Sequence, residues 1–303
     1  MGRVSWLNGI FPPIATAFAA DGRLAEVPTG FFESLRAAGI DGVVALGSNG
    51  EAAQLTEAER LQWIRSVKAS LPAPLRLIAG TGAESTIATI ERTRAAAAEG
   101  AEAALVIAPS YYRRQMTVDA LTRHYGAVAQ ASPIPILVYN VPANMGYDLG
   151  PDGIIELVGH PNIAGVKDSS GDLGRVPVMR QRLGPDVTIL TGTGEKLVDA
   201  LAAGADGAIA ALANLAPAIS VRIRNAALQG RLEEARQQQR IIAPLGEAMT
   251  RRYGVPGLKA GLRLLGYDHG DPRAPLPPLA GSELPALRRL LEDAQLLPRA
   301  LAS

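Results

Sequence analysis

Eight short apolar runs recur along the chain, and longer stretches of mixed polar and apolar residues separate them. The runs consist of aliphatic and β-branched residues without polar alternation, which is typical of strands buried on both faces of a parallel sheet. They cover residues 9–17, 42–46, 75–79, 104–108, 134–139, 163–167, 187–191 and 207–211. The pattern therefore predicts eight buried parallel strands.

The stretches between and after the runs carry helical signals. Thr56 followed by Glu59 is the sequence signature of a capping box. Gly100 ends a helical stretch that starts at Ser85. The predicted helices cover residues 56–69, 85–99, 117–130, 171–183, 195–203, 217–227, 232–248, 257–265 and 282–295. The spacing of the runs is that of successive βα units.

Eight βα units predict an α/β protein with the (β/α)8 TIM-barrel fold. An open, doubly wound sheet is the alternative, but no Gly-x-Gly-x-x-Gly fingerprint follows the first run. Beyond residue 211, helices follow one another without intervening strands. We therefore predict a barrel over residues 1–228 and a C-terminal helical extension over residues 229–303.

The composition narrows the classes of function. The 303 residues carry a formal net charge of +1, and acidic and basic residues are interspersed, so nucleic-acid binding is not expected. We expect no membrane span and no secretory signal, because the apolar stretches are too short. The chain has no cysteine, which excludes disulfides and thiolate catalysis and agrees with a cytoplasmic location.

Catalytic groups of a barrel come from the positions where its strands end. Only four of the 30 basic residues are lysines, and Lys167 ends the sixth run. An amine at the barrel mouth is poorly solvated, which favours its neutral, nucleophilic form. The alternative is a lysine that pairs with Asp168 or extends into solvent. Lys68, Lys196 and Lys259 lie in helical sequence and are predicted to be solvated.

Tyr139 ends the fifth run in the same way. Neighbouring strands lie ~4.8 Å apart, so its phenol can reach a substrate bound to Lys167 and transfer protons there. The alternative is a core tyrosine whose hydroxyl is hydrogen-bonded to the backbone. The loop 47–51 offers backbone N–H groups, a hydroxyl and an amide that suit a carboxylate, although a plain tight turn explains it equally well.

Other chemistries find little support in the sequence. The three histidines are far apart and lack metal-ligand spacing, so no metal site is expected. Ser48 and Ser169 lack a local histidine partner, so a hydrolase triad is not expected either. The prediction is an enzyme without metal or organic cofactor.

Four motifs, taken in order, resemble those of the dihydrodipicolinate synthase/N-acetylneuraminate lyase superfamily. They are Gly-Ser-Asn-Gly-Glu (47–51), Tyr-Tyr (111–112), Tyr-Asn-Val-Pro (139–142) and Val-Lys-Asp-Ser (166–169). The resemblance extends from residue 9 to residue 297. It implies a TIM-barrel class I aldolase and a homotetramer built as a dimer of dimers. The implied partner is a small 2-oxo acid with a pyruvate moiety.

The resemblance also implies roles for individual residues. Lys167 would form the Schiff base with pyruvate, Tyr139 would be the acid/base group, and Tyr112 would reach into the neighbouring subunit to complete a proton relay. The candidate substrate-binding residues are Ser48, Asn49, Ser169, Gly192, Ile209 and Asn144. The first two are expected at the pyruvate carboxylate, and Ser169 at the far end of the substrate.

Within the superfamily, the motifs are most similar to 4-hydroxy-2-oxoglutarate aldolase, as is the tail at residues 250–259. Dihydrodipicolinate synthases carry an arginine where this chain has Asn144, and Asn140 stands where the animal aldolase is expected to have serine. The resemblance thus implies cleavage of 4-hydroxy-2-oxoglutarate to pyruvate and glyoxylate. The alternatives are dihydrodipicolinate synthase, N-acetylneuraminate lyase, a sugar-acid aldolase or dehydratase, and a catalytically silent pyruvate-binding barrel.

Overall fold

The computed structural model describes residues 4–298 and places seven parallel strands of this region in one sheet. The strands are β1 (Gly42–Ala45), β2 (Arg76–Gly80), β3 (Ala103–Ile107), β4 (Ile136–Asn140), β5 (Ile163–Asp168), β6 (Thr188–Thr191) and β7 (Gly207–Ala208). Each strand pairs in parallel with the next in chain order. Nearly every strand residue is buried, as the uninterrupted apolar runs predict.

The N-terminal segment, residues 9–14, joins the two edges of this sheet. Ile10 forms a parallel bridge with Ala208 of β7, and Pro13 forms one with Val44 of β1. The first predicted run therefore takes the eighth position of the barrel, and the predicted (β/α)8 fold is confirmed. The segment forms isolated bridges rather than a regular strand because its two adjacent prolines have no N–H to donate.

The helices surround the sheet and continue beyond it. They are α1 (Phe31–Ala37), α2 (Glu57–Ser70), α3 (Thr86–Ala98), α4 (Val118–Ala131), α5 (Pro142–Met145), α6 (Gly150–Leu157), α7 (Arg175–Leu183), α8 (Leu197–Ala202), α9 (Leu212–Leu215), α10 (Pro217–Leu228), α11 (Leu232–Ala248), α12 (Gly254–Leu264) and α13 (Leu284–Asp293). The predicted capping box is present: the Glu59 amide donates to the Thr56 hydroxyl (3.3 Å), and the Thr56 amide donates to the Glu59 carboxylate (2.9 Å).

The sequence pattern misses α1, α5, α6 and α9. Helix α1 follows Gly30, which is in the left-handed conformation, and no side chain caps it. Helix α6 begins with a Gly-Pro pair, which alone is typical of a turn. The helix predicted from residue 171 begins only at Arg175. The residues before it form a turn in which the Gly174 amide donates to the Asp172 side chain (3.0 Å).

Apolar side chains form two buried clusters. One joins β1 and β2 to the first helices and the C-terminal helices, and the other joins β3–β6 to α4, α6 and α7. A five-residue π-helix, Met249–Tyr253, connects α11 to α12. Helix α11 packs on α8 and α10, whereas α12 packs on the turn Ser48–Gly50 that follows β1. The C-terminal helices thus reach the end of the barrel where the strands terminate.

Candidate active site

Lys167 and Tyr139 lie side by side where β5 and β4 end. The strand register pairs the two residues directly, and Lys167 Nζ lies 4.0 Å from the centroid of the Tyr139 ring. Lys167 is 4% exposed and Tyr139 is 5% exposed. The alternative of a lysine extended into solvent is therefore wrong. The amine and the phenol are close enough to contact one small molecule together.

The turn Ser48–Gly50 places a hydroxyl next to this phenol. Ser48 Oγ lies 3.4 Å from Tyr139 Oη. Leu46, directly after β1, adopts a φ of 59°, which bends the chain sharply into the turn. Gly80 of β2 permits this path, because a Cβ there would lie 1.9 Å from the Leu46 carbonyl oxygen. The glycine on β2 therefore allows the turn after the neighbouring strand β1 to face the site.

Opposing effects set the pKa of the Tyr139 phenol. Burial raises this pKa, whereas the charge of Lys167 and hydrogen bonds with Ser48, Lys167 and Ser169 lower it. The lowering prevails, so the pKa lies below the usual value for tyrosine. Such a phenol exchanges protons more readily near neutral pH than an ordinary tyrosine does.

Three further candidate residues lie directly after strand ends. Ser169 follows β5, Gly192 follows β6 and Ile209 follows β7. A Cβ at Gly192 would lie 1.9 Å from Ser169 Oγ, so the glycine leaves room for the hydroxyl. Ile209 is fully buried, and its amide donates to the carbonyl of Thr191 at 2.9 Å. The strand ends therefore supply a hydroxyl, which also bonds to Tyr139, and a buried apolar side chain.

A buried polar network joins the ends of the same two strands. The side-chain nitrogen of Asn140 donates to Asp168 (2.8 Å) and to Asp148 (3.0 Å), and its side-chain oxygen accepts from the Leu149 amide (3.3 Å). Arg175 contacts both oxygens of Asp148 at 2.9 and 2.6 Å, which lowers the pKa of Asp148 to about 2. These bonds hold together the strands that carry the amine and the phenol.

Some predicted site residues lie on the surface of the single chain. Tyr112 is 66% exposed and packs edge-on against Tyr111, with 5.0 Å between ring centroids. Asn144 is exposed on α5, and Asn49 is half-buried within the turn after β1. A residue that reaches across a subunit interface must be exposed on its own subunit, and that role of Tyr112 stays a prediction.

The prediction that Lys259 is solvated is wrong. Its side chain is 1% exposed, and Nζ lies 2.8 Å from Oε1 of Glu51, whose side chain is 0% exposed. Lys68 and Lys196 reach solvent as predicted. The local sequence Gly-Leu-Lys-Ala-Gly-Leu (257–262) could have indicated that Lys259 is buried. A charged side chain within such an apolar stretch needs a buried partner.

Two further findings concern the described region as a whole. Among residues 4–298, no group of three or more His, Cys, Asp or Glu side chains is arranged to hold a metal ion. No helix among these residues is long and apolar enough to cross a bilayer.

The model of the dihydrodipicolinate synthetase family matches residues 6–294. The chain belongs to this family. It is 37% identical over 290 residues to a 4-hydroxy-tetrahydrodipicolinate synthase of Stenotrophomonas maltophilia, covering 95% of this chain and 96% of the relative. It is 36% identical over 294 residues to an uncharacterized DapA-like lyase of Halobacterium salinarum, covering 96% and 95%. The chain is accordingly a lyase of the class I aldolase superfamily.

Solved structures agree with this assignment. The chloride-inhibited dihydrodipicolinate synthase of Acinetobacter baumannii, complexed with pyruvate, has a TM-score of 0.89 at 32% identity and covers 95% of this chain and 99% of its own. A prophage protein of the dihydrodipicolinic acid synthase family from Escherichia coli K12, also in complex with pyruvate, has a TM-score of 0.88 at 30% identity, with coverage of 95% and 99%. The family fold therefore extends over nearly the whole chain.

Proposed function

We propose that Lys167 forms a Schiff base with C2 of a 2-oxo acid that contains a pyruvate moiety. The observation that carries this proposal is the buried amine 4.0 Å from the ring centroid of Tyr139, on paired residues of two neighbouring strands. The phenolate form of Tyr139, which its lowered pKa favours, can accept a proton from the ammonium group and leave the free amine that attacks a carbonyl. The two solved relatives in complex with pyruvate support the same class of ligand.

The proposed reaction proceeds through one covalent intermediate. The phenolate of Tyr139 takes a proton from the Lys167 ammonium group and becomes the phenol. The free amine then adds to C2, and one proton moves from nitrogen to oxygen to give a carbinolamine. The phenol then protonates the carbinolamine oxygen, and water leaves to give the protonated imine. The phenolate removes the C4 hydroxyl proton, the C3–C4 bond breaks, and an aldehyde departs while the electron pair forms an enamine. Protonation at C3 and addition of water release pyruvate and the amine.

The carboxylate of the pyruvate moiety is assigned to the turn Ser48–Gly50. The Ser48 hydroxyl lies 3.4 Å from Tyr139 Oη, so a carboxylate bound at the turn brings the carbonyl carbon to the phenol and the amine together. Asn49 adds a half-buried amide to the same turn. This arrangement fixes the reacting end of the substrate and leaves its other end free to differ.

We infer that the substrate is 4-hydroxy-2-oxoglutarate, which yields pyruvate and glyoxylate. The neutral Asn144 in place of an arginine supports this choice, as does the Ser169 hydroxyl next to Gly192, which suits a polar far end of the substrate. The second candidate is formation of 4-hydroxy-tetrahydrodipicolinate. It is favoured by the 37% identity to a synthase of that name.

Reduction with borohydride in the presence of pyruvate tests the Schiff base. One reduced pyruvate adduct is expected on a peptide that contains Lys167, and Lys167→Ala should abolish both the adduct and turnover. Lys196→Ala, which alters an exposed lysine, is the matched control and should retain the adduct. An unmodified wild-type chain would refute the proposal.

A substrate comparison separates the two candidate reactions. Purified enzyme should release pyruvate from 4-hydroxy-2-oxoglutarate in an assay coupled to NADH oxidation. Faster formation of 4-hydroxy-tetrahydrodipicolinate than release of pyruvate would favour the second candidate and overturn the inferred substrate.

We further infer a cytoplasmic homotetramer in which Tyr112 completes a proton relay in a neighbouring subunit. The exposed pair Tyr111–Tyr112 supports this inference, because two large aromatic side chains at adjacent positions are typical of an interface. Sedimentation of the wild-type chain and of Tyr112→Phe measures the assembly, and their turnover measures the relay. A fully active monomer would contradict both.

A further inference from the structure

A buried ion pair connects the turn after β1 to the C-terminal helices. Glu51, which ends this turn, and Lys259 of α12 lie with Oε1 and Nζ 2.8 Å apart, and neither side chain reaches solvent. Lys259 also donates to the carbonyl of Asp271 (3.0 Å), and its Nζ lies 4.3 Å from the centroid of the Phe18 ring. The proposed reaction uses neither charge.

The contacts of Glu51 fix the turn from more than one side. The second carboxylate oxygen of Glu51 accepts from the Arg273 amide at 2.7 Å, and the Glu51 amide donates to the Ser48 carbonyl at 3.2 Å. Thr16 adds a hydroxyl bond of 2.6 Å to the Gly50 carbonyl. Helix α12 packs directly on the turn. The position of Ser48 therefore depends on side chains from distant parts of the chain.

Stability alone does not explain this arrangement. Taking two charges out of water costs several kcal/mol per ion, and a well-packed apolar pair is often as stable or more so. Glu51 also adopts a φ of 52°, a left-handed conformation that is unfavourable for residues other than glycine. Strain and burial of this kind concentrate where a backbone must be held in a particular geometry.

We propose that Glu51 and Lys259 are positioning residues, which hold the Ser48–Gly50 turn where it binds the substrate carboxylate and contacts Tyr139. The inference rests on the proposed function, because it assigns the turn to the carboxylate of a pyruvate moiety. Loss of the pair should let the turn relax. Affinity for pyruvate should then fall while the protein stays folded.

The test compares variants that remove the charges with one that breaks an unrelated ion pair. Glu51→Gln combined with Lys259→Met removes both charges but keeps a side-chain oxygen to accept from the Arg273 amide. Glu51→Gln alone provides a second, nearly isosteric variant if the double variant folds poorly. Lys68→Met, which breaks the partly exposed pair with Glu102, is the matched control.

Two readouts distinguish positioning from a structural role. Thermal unfolding measures the stability of the fold. The pyruvate concentration that half-saturates borohydride trapping measures how well the turn binds the substrate carboxylate. We expect the double variant to stay folded with half-saturation raised about tenfold or more, which corresponds to about 1.4 kcal/mol, and the control to match wild type. If both Glu51 variants show the half-saturation of the wild type, the positioning inference is overturned and the proposed function is not. A wild-type enzyme that traps no pyruvate would overturn it together with the proposed function.

Discussion

Replacing Asn140 with alanine should lower the free energy of unfolding by about 2.5 kcal/mol. The buried, charge-assisted bond to Asp168 contributes about 1.5–3 kcal/mol, and the Leu149 amide left without its acceptor costs about 1–3 kcal/mol. The bond to Asp148 adds little, because that side chain is 35% exposed and keeps both contacts with Arg175. The lower ends of the ranges are appropriate because the Leu149 bond is long, at 3.3 Å.

Urea unfolding followed by circular dichroism measures this loss. All variants must be compared at one protein concentration, because association of subunits adds to the apparent stability. Asn144→Ala, which truncates an exposed asparagine of α5, is the matched control and should change the free energy of unfolding by less than about 0.5 kcal/mol.

The same variant should also disturb the site. Asn140 joins the ends of β4 and β5, so its loss should slow imine formation at the neighbouring strand positions. A loss of stability below about 1 kcal/mol in Asn140→Ala would mean that the buried amide is no better bonded than a surface one. That result would refute the conclusion that this hydrogen-bond network holds the ends of β4 and β5 together.

Three more predictions concern the amine and its neighbours. Tyr139→Phe should lower kcat about 10²- to 10⁴-fold with a smaller effect on KM, as steady-state kinetics will show. Lys167→Met should raise the pKa of Tyr139, because the phenol stays buried without the cation, and ultraviolet titration of tyrosinate measures the shift; an unchanged pKa would contradict it. Gly192→Ala should displace Ser169, whose Oγ would lie 1.9 Å from the new Cβ. It should raise KM for 4-hydroxy-2-oxoglutarate while borohydride trapping of pyruvate persists, and equal losses of both would contradict this.

The sequence allowed the centre of the site to be predicted because the barrel itself determines it. Lys167 and Tyr139 each stand at the end of an uninterrupted apolar run, and consecutive strands of a parallel barrel are neighbours. Their pairing therefore follows from topology without any knowledge of loops. The capping box at Thr56 was predictable for a similar reason, since it depends on residues three positions apart.

Features that depend on packing between distant segments were missed. The contact of Lys259 with Glu51 arises only when α12 folds back onto the turn after β1, and nothing in either local sequence specifies that approach. Helix α1 was missed for another reason. It begins after a glycine without a side-chain cap, and its packing against the barrel replaces the local signal.

The two halves of the substrate depend on different parts of this structure. In the proposed reaction, the reacting half contacts Lys167 and Tyr139, which are paired residues at the ends of two neighbouring strands. In this proposal, the far half is assigned to Ser169 and to the loop around α5, which carries Asn144. Changes at Asn144 should therefore alter which 2-oxo acid is cleaved without preventing imine formation. Changes at Lys167 or Tyr139 should impair the reaction with every substrate, because in the proposed reaction all of them share the same covalent intermediate.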